Sequence, residues 1–200
     1  MKDSRMLRLS ILSVLLSLCM AVWTSLLVTF YISTMQNHPE WTQQEKVNKA
    51  LFTFIPLALG EIVGSAFLGF TYDKLGPRQA VSFLLVVSVL EISSAIAYNE
   101  IHEFNFFAYV VSFGWGILDS GLNNFMNITL GFEFKSKITP FSAQKCTCNI
   151  ILFVLIIVES KIRTKEQFRI YFGAILVYSI FACLVMLKFE FKNLRFNEIS

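Results

Sequence analysis

Apolar residues run along this chain in six long stretches, at about 7–31, 50–72, 80–98, 106–130, 142–158 and 168–187, with polar residues gathered in the short gaps. A bilayer hydrocarbon core about 30 Å thick takes roughly 20 apolar residues per spanning helix. The pattern predicts an all-α membrane protein with six transmembrane helices, forming a single domain over residues 1–200. Composition agrees: 55% of the residues are hydrophobic and mean hydropathy is +0.60, too apolar for an ordinary soluble domain. The first stretch outruns a signal-peptide core of about 7–15 residues and no small-residue cleavage site follows it, so it reads as a spanning helix.

The gaps carry the charge, and Lys and Arg set orientation. With six spans both ends face one side. That side holds Lys2, Arg5, Arg8, Lys74, Arg78, Lys135, Lys137, Lys145, Lys188, Lys192 and Arg195. The other holds Lys46, Lys49, Lys161, Arg163, Lys165 and Arg169. The bias predicts cytoplasmic termini. The basic loop "ESKIRTKEQFR" (159–169) opposes it, and "QKCTCN" makes the fifth stretch the weakest span.

Few chemistries survive this reading. The bases are dispersed, so no nucleic-acid surface is expected. Cys19 and Cys183 lie in apolar stretches, and C-T-C at 146–148 lacks the spacing of a redox or zinc pair. No phosphate-binding loop, nucleophile elbow or HExxH is present, so neither an enzyme nor a cofactor is expected. "NIT" at Asn127 has the glycosylation pattern but falls inside the fourth stretch.

Polar residues inside the stretches carry more information. Glu61, Ser65 and Gly69 are spaced i, i+4, i+8 and share one helix face. Gly60 and Gly64 form a G-x-x-x-G beside them. Ser112, Gly116, Asp119, Asn123 and Asn127 make a longer stripe, and Glu91 has Ser88 and Ser94 one turn either way. A charged group at mid-membrane costs about 2.5–3.5 kcal/mol on insertion scales. No Lys or Arg lies mid-span to pair with Glu61, Glu91 or Asp119. These carboxyls must face a bundle interior, a wet cavity or a partner. They serve either a proton relay or polar pathway, or hydrogen bonding between helices; Asp119 is the best single candidate for the former.

Between the second and third stretches lies "GFTYDKLGPRQ" (69–79). Gly69 can let helices approach, Gly76 suits an unusual turn dihedral, and Pro77 suits a helix start. Asp73, Lys74 and Arg78 are close enough to pair locally or with a helix end. A solvated charged loop would have the same composition.

The spacing G-x-x-x-D-K-x-G-x-R resembles the loop signature of the major facilitator superfamily. Gly69, Asp73, Lys74, Gly76 and Arg78 fit it; Pro77 stands where a basic residue is usual. In that family the Asp and bases latch neighbouring helices and help set alternating access. "GEIVGSAFLGFTYDKLG" (60–76) and "VSFGWGILDSGLNNFMNITLGFEF" (111–134) further resemble the C-terminal half of the uncoordinated-ninety-three-like proteins, a branch with ion-channel regulatory and receptor-trafficking members. Gly60-Glu61 and Gly116-Ile-Leu-Asp119 fit its second and fourth helices. The resemblance implies six helices forming one half of a major-facilitator-type twelve-helix fold. It implies a regulator or trafficking partner of another membrane protein, or else half of a secondary, proton-linked solute transporter. A non-functional half-gene product is the third reading. The expected partners are the bilayer and a missing N-terminal half, a second copy or another membrane protein. A truncated or split frame, or a degenerate relative, is expected over an independent transporter.

Overall fold

The structure, a computed structural model, describes residues 4–36, 38–134 and 138–191. Lys2, Lys135, Lys137, Lys192 and Arg195 of the orientation count lie outside them. Among the described residues every regular element is helical. The first rod is α1 (Ser4–Ala21), a π-helical turn (Val22–Leu26) and α2 (Leu27–Thr34). The second is α3 (Gln43–Phe52) with α4 (Phe54–Leu75). Then follow α5 (Pro77–Ile101), α6 (Phe107–Glu133), α7 (Ile138–Glu159) and α8 (Lys165–Leu187).

The helices extend beyond the apolar stretches because polar residues in the gaps start and stop them. Thr42 with Glu45, and Thr164 with Gln167, form reciprocal capping boxes that begin α3 and α8. The second rod is interrupted at Thr53. Pro56, three residues on, has no N–H to donate to the Phe52 carbonyl. Gly76 ends α4 and precedes α5 with φ 93° and ψ 170°, a region open essentially to glycine alone. Pro77 is the first residue of α5, where a missing N–H is harmless.

Five rods are long and apolar enough to cross a membrane: Arg5–Thr34, Gln43–Leu75, Pro77–Ile101, Ile138–Glu159 and Lys165–Leu187. They suit an integral multi-pass membrane protein. The sixth, α6, is long enough but carries the polar stripe, and it is not among the five. Its position supplies the reason: it packs on α4 most extensively and also on α1 and α5, so its polar groups meet protein.

The fifth stretch is one continuous helix in spite of "QKCTCN". The polar half is the half that packs. Gln144 and Cys148 are buried against α1. Ser17 Oγ donates to the Cys148 carbonyl at 3.2 Å, and Cys148 Sγ donates to the Ser13 carbonyl at 3.5 Å. The outer half of α7 leaves Ile150, Phe153, Val154 and Ile157 exposed, as suits lipid.

In the core, Phe30 meets Tyr31, Tyr98, Phe168 and Phe172 at ring-centroid separations of 4.9–5.6 Å. This aromatic cluster joins α2, α5 and α8.

Candidate functional site

Glycines bring α4 and α6 together at backbone distance. A side chain on Gly60 would strike the Phe113 carbonyl, and one on Gly64 would lie 2.7 Å from Ile117 Cα. One on Gly116 would collide with the Leu57 carbonyl and lie 2.9 Å from the Glu61 nitrogen. These contacts rise together in sequence number, so the helices run parallel, with Glu61 beside Gly116 and Asp119 about one turn further along α6. Gly69 behaves differently. An added Cβ there meets nothing within 4 Å, so the expected close approach of helices occurs at Gly60, Gly64 and Gly116 and not at Gly69. The reason is helical phase: Gly69 lies about 140–180° around α4 from Gly64 and Gly60, while Leu68 and Tyr72, on the packed face, stay buried and Tyr72 meets Phe125 of α6.

Asp119 is 7% exposed, and its Oδ1 is buried with no hydrogen-bond partner. Two groups act on its charge from neighbouring helices: Glu61 on α4 and the Trp23 indole in the π turn of the first rod. The Trp23 N–H is directed at the carboxyl but falls outside hydrogen-bonding geometry, and its Nε1 is likewise buried and unpartnered. One and two turns further along α6, Asn127 donates to Asn123 Oδ1 at 3.3 Å. Glu61, Ser65, Asn123 and Asn127 are all half-buried. The two stripes therefore meet along one seam that opens to the bundle's outer surface.

Glu91 occupies a separate, enclosed place between α5 and α6. It is 6% exposed; Ser94 Oγ donates to its Oε2 at 3.4 Å, and Oε1 has no partner. The carboxyl fits only because position 114 is glycine, since a Cβ there would overlap it. Of the two serines expected beside Glu91, only Ser94 contacts it; Ser88 faces Cys183 of α8. Cys19 on α1 lies within electrostatic reach of both Asp119 and Glu91.

The charged turn is remote from this seam. Asp73, Lys74 and Arg78 are exposed where α4 gives way to α5. A groove of about 410 Å³ beside them is lined by Leu75, Gly76, Pro77, Arg78, Gln79 and Phe191.

Three buried polar contacts were not anticipated from sequence. Glu159, at the end of α7, is 2% exposed. It accepts from Tyr171 OH at 2.5 Å and from Ser25 Oγ in the π turn. Arg5 and Glu133 form a buried ion pair at 2.5 Å, tying the start of α1 to the end of α6, with the guanidinium over the Phe134 and Phe189 rings. Tyr31 OH lies 2.6 Å from Ser112 Oγ. Each of these acids and bases sits at the rim of an apolar stretch, where sequence alone reads a solvated end. In the basic loop, Lys165 and Arg169 both pair with Glu100, at 3.3 and 3.6 Å; part of its positive charge is compensated within the fold.

All four cysteines are free thiols, and among the described residues no cluster of three or more His, Cys, Asp or Glu is arranged for a metal. Comparison with protein-family models, with curated proteins and with solved structures finds no match.

Proposed function

We propose that the chain crosses the bilayer six times with cytoplasmic termini and acts as one helical bundle of a larger membrane assembly. In that assembly it regulates or chaperones the trafficking of another membrane protein, as its resemblance to the uncoordinated-ninety-three-like branch implies. One observation carries this reading: Glu61 and Ser65, in the middle of an apolar helix, are only half-buried, beside half-buried Asn123 and Asn127. Asn127 and Asn123 bond each other, but facing lipid the rest of their polar atoms, and those of Glu61 and Ser65, would meet no hydrogen-bonding group, and such contacts between helices are worth about 0.6–2 kcal/mol each. A partner bundle supplies them. In the half-fold reading, that bundle is the complementary six helices.

The test is to make the seam lipid-like. In Ser65→Leu with Asn127→Leu, native electrophoresis in mild detergent should show the assembly reduced to the single chain, with membrane insertion unchanged. A wild-type chain that is strictly monomeric, stable and monodisperse in that detergent contradicts the proposal.

A second reading, proton-linked solute transport, is favoured by the unpartnered carboxyl oxygens of Glu91 and Asp119. Asn keeps the polarity of Asp but exchanges no proton in this range. Asp119→Asn should therefore abolish pH-driven uptake in a transporter and leave a structural partner's assembly intact.

A further inference from the structure

We infer that residues 188–191, the short irregular segment after α8, form a clasp that shuts one end of the bundle and opens without the bundle unfolding. That end is where α1, α5 and α7 begin and α4, α6 and α8 finish. The inference does not rest on the function proposed above.

The segment is attached to several elements at once. α8 stops at Leu187, and the Phe189 N–H donates to the Met186 carbonyl at 3.0 Å, which turns the chain off the helix axis. Arg8 of α1 donates to the Lys188 carbonyl. The Phe189 ring is buried, with the Arg5 guanidinium 5.0 Å from its centroid. Phe191 meets Phe189 at 4.8 Å and Phe125 of α6 at 6.3 Å, and it walls the groove beside the α4–α5 turn. The segment thus bridges α1, α6 and that turn.

What it covers follows from helix spacing. Phe125, Thr129 and Glu133 are spaced i, i+4, i+8 and share one face of α6. Phe125 meets Phe191, and Glu133 pairs with Arg5, which stacks on Phe189. Thr129, between them, is 0% exposed, and its hydroxyl is buried without a hydrogen-bond partner. The segment runs beside this face, so Thr129 and the Arg5–Glu133 pair lie behind it.

The attachments are of a kind that releases. Lys188 and Glu190 are exposed, so alternate residues of the segment already face outward. Two rings and a hydrogen bond from Arg8 carry its contacts with other elements, whereas the helices above are joined along whole packed faces, as α4 and α6 are through their glycines. A segment with few buried groups opens locally at a smaller free energy than the whole fold. Opening would uncover the inner end of α6 and leave the helix packing above it in place.

The test is cysteine accessibility in the purified full chain in detergent. Thr129→Cys is introduced together with Cys146→Ser, which removes the exposed native thiol. A charged maleimide is added, labelled positions are located by peptide mass spectrometry, and rates are normalised to those of the unfolded chain. Native Cys19, buried far along α1 from Arg5, is the internal control. With the clasp intact, Thr129→Cys should react faster than Cys19. Phe189→Ala with Phe191→Ala should raise its rate about 10-fold or more, since the local opening no longer breaks those aromatic contacts. The rate at Cys19 should stay unchanged. Should the double variant fail to fold, Phe191→Ala alone, which removes a half-buried ring, should give a smaller rise confined to Thr129→Cys. A rate at Thr129→Cys no faster than at Cys19 with the clasp intact overturns the inference. So does an unchanged rate when the rings are removed, or an equal rise at both positions.

Discussion

The Glu91 carboxyl fills the space that a side chain on Gly114 would need: a Cβ added there would lie 2.9 Å from the carboxyl carbon and closer still to Oε2. The two residues are therefore coupled. Gly114→Ala should destabilise by about 1–3 kcal/mol, the usual range for overpacking a filled core. Glu91→Ala in the same chain should recover much of that loss. A double-mutant cycle on thermal midpoints measures the coupling; strictly additive single effects would show that the carboxyl lies elsewhere.

Glycines on α4 should divide sharply by position. Gly64→Val drives a side chain into Ile117 backbone and should prevent a stable α4–α6 contact, costing about 3 kcal/mol or more. Gly69→Ala meets open space and should change stability by less than about 1 kcal/mol. Expression level and detergent stability of the two variants check this, and equal damage from both would contradict the packing.

That contrast shows what sequence can reveal. Six rods were legible because apolar length is set by the bilayer, and Gly76-Pro77 was legible because turn chemistry is local. The face of a stripe that packs was not. Gly60 and Gly64 share one face of α4 and Gly69 lies on another, but only the structure shows that the Gly60–Gly64 face is the one that meets α6. The candidate site was half legible. Glu61, Glu91 and Asp119 stand out as acids among apolar residues. Trp23 does not, because an indole in an apolar helix is ordinary and its approach to Asp119 depends on a π turn. Glu133, Arg5 and Glu159 were hidden because residues at the rim of a span look solvated until their partners, distant in sequence, are placed.

Arg5 and Glu133 join the start of α1 to the end of α6 as a buried pair. Removing one partner strands the other charge, so Arg5→Ala or Glu133→Ala should each cost about 3–5 kcal/mol. Arg5→Met with Glu133→Leu should cost far less than the sum of the single losses, since neither charge remains. Chemical unfolding of the four chains in detergent decides; additive losses would mean that the two side chains do not meet.

His102 closes α5 in the left-handed conformation, φ 52° and ψ 38°. Partial burial, then the positive charge of Lys165, lower its ring below the ordinary histidine value of 6.5, with Glu100 opposing. The unfolded chain thus binds the proton more tightly than the folded one. The neutral ring's contribution is present above that ordinary value and lost as pH falls below it, through the lower folded-state value. Thermal midpoints should drop with acid over this window in the wild type. In His102→Asn, which tolerates the left-handed turn without titrating, that part of the drop should vanish. An unchanged pH profile in His102→Asn would remove the ring from the account.

The central claim is that protein, not lipid, covers the seam of Glu61, Ser65, Asn123 and Asn127. It is tested most directly by photo-crosslinking in intact membranes, with a benzophenone side chain placed at Ser65 or Asn127. Controls go at Ile62 and Val177, which are 68% and 71% exposed. The account predicts a discrete protein adduct at Ser65 and Asn127, of one size for both, and lipid adducts alone at the two controls. Lipid adducts alone at all four positions would contradict it.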